Sequence, residues 1–184
     1  MKKSLHKIKK YDSNLHNILI QTTNLSLYEQ VTKKEIIQVL RVRKLPRSFF
    51  ELKMNRIKSI DPIVAKQLEY SHFDTIELKG VKKIDNKALT YLANSRSLLD
   101  LGITSLNITQ ANIIVKHHKA ALVFSNLKSI TLPIAKVLAN YKGNILDLCA
   151  ITKINSDCIN YLFDNYVGDF LTIGNLAIKN KHSK

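Results

Sequence analysis

Tryptophan is absent from this 184-residue chain, which also has only two cysteines, three prolines and five glycines. So little glycine and proline argues against collagen-like or long low-complexity stretches. Cys149 and Cys158 stand nine residues apart, form no CxxC pair and have no histidine at zinc-ligand spacing. They read as two free thiols in a reducing compartment, and no metal site is expected. No apolar run approaches the roughly 18–20 residues that span a bilayer. After Met1-Lys2-Lys3 any apolar stretch is broken by His6, Lys7, Lys9, Lys10 and Asp12. A cleaved secretory signal is therefore not expected, and the arginine-free, lysine-rich start makes a poor mitochondrial presequence. The expected location is cytoplasmic.

Catalytic motifs are missing too. There is no G-x-S-x-G, P-loop, H-E-x-x-H or glycine-rich dinucleotide turn. His117-His118 is the one histidine pair, but adjacent helical residues point about 100° apart and cannot share a metal as i, i+4 ligands would. The pair reads as a solvated helix end. No catalytic residue and no cofactor are expected, and the chain reads as a non-enzyme.

Acidic residues are scarce: 14 Asp and Glu against 29 Lys and Arg, a net charge of +15. Such a bias favours acidic partners such as nucleic acid, an anionic membrane or an acidic protein surface.

What the sequence does have is a period. A frame L-x-L-x-x-I-x-x-I, four residues, a small or apolar residue, two more, then L recurs five times. The copies are Leu52, Met54, Ile57, Ile60, Ala65, Leu68; then Ile76, Leu78, Val81, Ile84, Leu89, Leu92; then Leu99, Leu101, Ile103, Leu106, Ala111, Ile114, with one residue deleted after Gly102. Two more follow: Leu122, Phe124, Leu127, Ile130, Ala135, Leu138; and Leu146, Leu148, Ile151, Ile154, Ile159, Leu162. Leu171, Ile173 and Leu176 start another, so first positions lie 24, 23, 23, 24 and 25 residues apart. A degenerate earlier copy has Leu25, Leu27, Val31, Ile36 and Val39.

L-x-L alternates with period two and predicts a short strand with both large residues on one face. A-x-x-L has helical spacing and predicts an inward apolar stripe. A second signal agrees. One residue after the second aliphatic turn position come Asp61, Asp85, Asn107, Thr131 and Asn155, all able to accept from an orphan N–H at a helix start. Thr32 with Glu35 adds a T-x-x-E capping box, and Pro62 follows its cap at the first helical position.

One such unit cannot bury its own apolar face, whereas stacked neighbours can. The frame resembles leucine-rich repeat proteins, whose pattern is L-x-x-L-x-L-x-x-N/C-x-L, over about residues 25–176. It departs at the Asn/Cys position, where this chain has Ile57, Val81, Ile103, Leu127 and Ile151, so it is most similar to divergent bacterial-type repeats. The resemblance implies an α/β fold: a right-handed β-α solenoid with a short parallel concave sheet and helices on the convex side. Residues 1–24 are then a basic N-terminal segment and cap, 25–176 the solenoid of about six units plus an unfinished one, and 177–184 a basic tail. No polar cap follows Leu171, so the last strand is expected to leave an uncovered parallel edge, a place for edge-to-edge self-association.

Two surfaces stand out as binding candidates. Leucine-rich repeats usually bind on the concave sheet, through the residues flanking and between the two large ones. Here these include Lys53, Glu77, Lys79, Asp100, Val123, Ile145 and Asp147, a mixed and partly apolar face that implies a protein partner. The turn after each strand carries Lys58, Lys82 with Lys83, Lys128 and Lys153, with Thr104 and Ser105 in the third copy. That rim could follow RNA, a ribonucleoprotein or another polyanion, although arginine is scarce and no aromatic-interleaved basic motif occurs. A protein–protein interaction module is the leading expectation, an RNA-binding accessory protein the alternative, and an effector acting inside a host cell a third.

Overall fold

The computed structural model describes residues 23–24, 30–34, 36–37, 51–71 and 73–179. Eight strands form one sheet in chain order, from β1 (Thr23–Asn24), β2 (Glu51–Lys53), β3 (Thr75–Leu78) and β4 (Leu98–Leu101) to β5 (Leu122–Phe124), β6 (Ile145–Leu148), β7 (Phe170–Ile173) and β8 (Leu176–Lys179). Every neighbouring pair is parallel through β7, and β8 alone runs antiparallel. From β2 to β7 five helices connect successive strands: α1 (Pro62–Glu69), α2 (Asn86–Ala93), α3 (Ile108–His117), α4 (Leu132–Leu138) and α5 (Ser156–Asn165). Each packs against the next, and the class is α/β.

The strands and helices fall where the apolar frame places them. Register pairs Leu52 with Ile76, Ile76 with Leu99, Leu99 with Leu122, Leu122 with Leu146, and Leu146 with Leu171. All six first positions are buried and share one core with the helix stripes, for example Ala65 and Leu68, Leu89 and Leu92, and Ala135 and Leu138. The five aliphatic turn residues Ile57, Val81, Ile103, Leu127 and Ile151 are buried as well. Backbone bonds between neighbouring turns supply the polar pairing there: Thr104 N–H donates to Lys82 O at 3.2 Å and Thr152 N–H to Lys128 O at 3.1 Å.

Four of the five expected caps accept as drawn: Asp61 from Ile63 N–H at 2.6 Å, Asp85 from Ala88 at 2.8 Å, Asn107 from Gln110 at 2.9 Å, and Asn155 from Asp157 at 2.6 Å. Gln110 reciprocates to Asn107 N–H, closing a capping box. Thr131 stands at the cap of α4 in extended conformation but makes no side-chain cap bond. Residues 33, 34, 36 and 37 are helical, while Glu35 of the proposed box, like the strand expected at Leu25 and Leu27, lies outside the described residues.

Beside the one-residue deletion in the third copy, two backbones pass close together. Gly102 N–H bonds to Leu78 O at 3.1 Å, and a Cβ at Gly102 would stand 2.0 Å from Lys79 O. The backbone passes so close to the preceding unit at this point that only glycine fits, as it also does at Gly80 in the full-length second copy.

Three expectations are corrected. At the N-terminal edge Thr23, not Leu25, is the Cα partner of Leu52, so pairing begins two residues earlier, inside the segment read as a cap; β-branched Thr suits a strand. At the other end the parallel edge of β7 is not bare. Gly174, at φ +55°, opens a two-residue turn that pairs Ile173 with Leu176 and returns the chain as β8, as a II′ hairpin asks of its first central residue. The supposed basic tail thus begins as a strand. Finally, His118 is fully buried rather than solvated. Its Nδ1 lies 3.3 Å from Ala93 O and its Nε2 3.2 Å from Ala121 O.

His118 belongs to a set of side chains that close the helix-to-strand turns. Tyr141 stacks on it with ring centroids 6.2 Å apart and donates its hydroxyl to Ala120 O. Tyr166 donates to Phe170 O at 3.1 Å, and Ser71 to Leu68 O at 2.8 Å. Burial raises the Tyr141 phenol far above its ordinary range and holds the His118 imidazole below its own.

Candidate protein-binding face

One face of the sheet is the core. On the other, the residues between the buried positions form a row fixed by register: Lys53 faces Glu77, Glu77 faces Asp100, Asp100 faces Val123, Val123 faces Asp147, and Asp147 faces Thr172. Six of the seven expected face residues lie on strands, and Lys79 directly follows β3, so the fold brings all seven together.

The β2–β4 half is charged and internally paired. Lys53 Nζ lies 2.7 Å from Glu51 and 3.9 Å from Glu77; Lys79 Nζ lies 3.4 Å from Glu77 and 3.2 Å from Asp100. Asn55 donates to Glu77 Oε2 at 2.7 Å, and Ser125 donates its hydroxyl to Asp100 Oδ1. The Lys53 ammonium is held above its ordinary value by its hydrogen bond to Glu51 and the charge of Glu77. Burial works against the charge of Lys79, but Asp100 and Glu77 outweigh it and its pKa also rises.

The β5–β7 half is more apolar. Val123 and Ile145 are half-buried, and Phe170, the register partner of Ile145, is 44 % exposed. Asp147 stands among them and accepts Cys149 N–H at 2.8 Å. The exposed Cys149 thiol is pushed up by burial, then by the hydrogen bond and charge of Asp147. Leu98 and Phe170 were absent from the expected face, although each lies two residues before a row member, Asp100 and Thr172. The period-two step back from the frame that gives Ile145 before Leu146 gives Leu98 and Phe170 in the same way.

The rim lysines Lys58, Lys82, Lys83, Lys128 and Lys153 are all exposed, and among the described residues none forms an ion pair. Lys82 Nζ instead reaches Lys79 O at 3.3 Å. The rim is diluted by Asp61 and Asp85 at the neighbouring helix caps and interrupted at Thr104 and Ser105. Two helix lysines lie over aromatic rings, Lys66 over Tyr91 and Lys136 over Tyr161.

Charge is unevenly distributed. Residues 1–50 hold eleven Lys and Arg against three Asp and Glu, whereas residues 51–176 hold fifteen against eleven. On the sheet face the balance reverses: Glu51, Glu77, Asp100 and Asp147 outnumber Lys53 and Lys79.

Among the described residues no group of three or more His, Cys, Asp or Glu side chains could hold a metal ion, and no helix is long and apolar enough to cross a membrane. No family model, curated protein or solved structure matches the chain.

Proposed function

We propose that this chain is a leucine-rich-repeat-like β-α solenoid that acts without catalysis, as a module binding another protein across the outer, concave face of its sheet. The observation that carries the reading is the unbroken row from Lys53 to Thr172, which presents a paired charged half beside an apolar half. Apolar surface rimmed by polar groups is what a protein partner covers. Fixed backbone register makes the face preorganised, which lowers the ordering cost of binding. The free thiols Cys149 and Cys158 fit a reducing compartment such as the cytoplasm. RNA binding through Lys58, Lys82, Lys83, Lys128 and Lys153 is the less favoured reading, because cap carboxylates and the Thr104–Ser105 gap dilute that rim.

Affinity purification of the full chain from its native organism tests the choice. A captured protein should be lost on Val123→Asp and kept when all five rim lysines are changed to alanine. Capture that survives Val123→Asp, or that disappears with nuclease treatment and with the lysine variant, would sink the proposal.

A further inference from the structure

Among the described residues, Asp147 alone of the four carboxylates on the outer sheet face has no cation within 4.0 Å. Glu51, Glu77 and Asp100 share Lys53 and Lys79. Asp147 instead sits in the apolar half, directly opposite Val123 on one side and Thr172 on the other, with Ile145 two residues before it on the same face. One carboxylate oxygen is engaged by Cys149 N–H at 2.8 Å.

That placement constrains any occupant. A partner that covers Val123 and Ile145 closes over Asp147 as well, because Asp147 adjoins both, directly across from Val123 and two residues along the strand from Ile145. Withdrawing a carboxylate from water without supplying a counter-charge is strongly unfavourable. A partner that supplies a guanidinium or ammonium regains that cost through a charge-assisted hydrogen bond.

Accordingly, we infer that the β5–β7 half of the face takes a partner segment bearing one arginine or lysine between apolar side chains, with the cation on Asp147 and the apolar groups on Val123, Ile145 and Phe170. Strand geometry sets the spacing: about 5 Å across strands and about 7 Å along one. With one oxygen already accepting Cys149 N–H, the carboxylate offers its other oxygen to a single charged donor, which either arginine or lysine supplies. That basic preference runs against the chain's +15 net charge, which by itself would draw acidic peptides. The inference rests on the docking role proposed above.

Panning a random 12-residue peptide phage library on the full chain tests both together and separates them. The expected winners carry Arg or Lys with apolar residues within two positions, and they are displaced by Val123→Asp. Panning on Asp147→Asn should lose the basic preference and keep the apolar one, and Asp147→Lys should turn it toward Asp or Glu. The best peptide should bind Asp147→Asn at least about tenfold more weakly. Apolar winners without a basic residue, or the same basic winners on Asp147→Asn, overturn the inference and leave the docking role standing. Winners indifferent to Val123→Asp, or no enriched peptide at all, overturn the docking role itself. Thermal melts of each variant confirm that the fold is intact.

Discussion

Lys79 Nζ lies 3.2 Å from Asp100 Oδ2, across the boundary between β3 and β4. Asp100 is only 7 % exposed, so this contact neutralises a carboxylate that water cannot reach well. Lys79→Met should cost about 1–2 kcal/mol, between the ~0–1 typical of exposed pairs and the ~3–5 of buried ones. Adding Asp100→Asn should recover at least half, which a double-mutant cycle by urea denaturation would measure. Neighbouring charges raise the Lys79 pKa against its burial. The contribution is therefore fully present below the unfolded lysine value, about 10.4, and fades as pH rises through the folded one. Equal stabilities of native chain and variant at pH 8 would refute the argument.

Gly102→Ala should be more damaging, by about 2–3 kcal/mol, because the new methyl would fall 2.0 Å from the backbone oxygen of Lys79. Gly174→Ala should cost less, about 1–2 kcal/mol, the strain of a left-handed residue. A reversed ranking in thermal melts would count against the close approach of the third unit.

His118 should give the fold an acid-side slope. Burial lowers its pKa, against the carbonyls of Ala121 and Ala93, so the folded state prefers the neutral ring. Stability is then present above the unfolded histidine value, about 6.5, and declines as pH falls from there toward the folded pKa. Unfolding free energy measured from pH 7.5 to 5 should drop in the native chain, and His118→Gln should flatten much of that drop. Parallel curves would remove His118 as the cause.

Cys149 offers a local reading of Asp147. The carboxylate adds to burial in raising the thiol, so Asp147→Asn should increase the thiolate fraction and speed Cys149 alkylation by iodoacetamide at pH 8 severalfold. Cys158 is buried and serves as the internal reference by mass spectrometry. An unchanged rate would show that Asp147 does not act on the thiol.

The periodic parts of this molecule could be read from its sequence because each apolar position and cap recurs and is therefore checked several times. Asp61, Asp85, Asn107 and Asn155 bond as their spacing suggests. The parts that escaped are those where chemistry varies from unit to unit. Ser71, His118, Tyr141 and Tyr166 do one job, closing a turn onto a carbonyl, yet share no residue type that a pattern search would detect. The β7–β8 hairpin was hidden for another reason: Leu171, Ile173 and Leu176 fit the opening of a further copy, and the turn signal of Gly174-Asn175 lay inside that match. On the face, Leu98 and Phe170 hold the same place before the frame as Ile145, but a leucine and a phenylalanine beside Leu99 and Leu171 read as core rather than as surface.

The hairpin at Gly174 has a consequence for growth of the array. A parallel stack is open-ended: each strand presents to the next the pattern it received from the last. β8 runs the other way, so the edge of β7 that would have carried the pattern onward is already taken. The hairpin acts as a bookend to the parallel run, which among the described residues closes on a segment of the same chain.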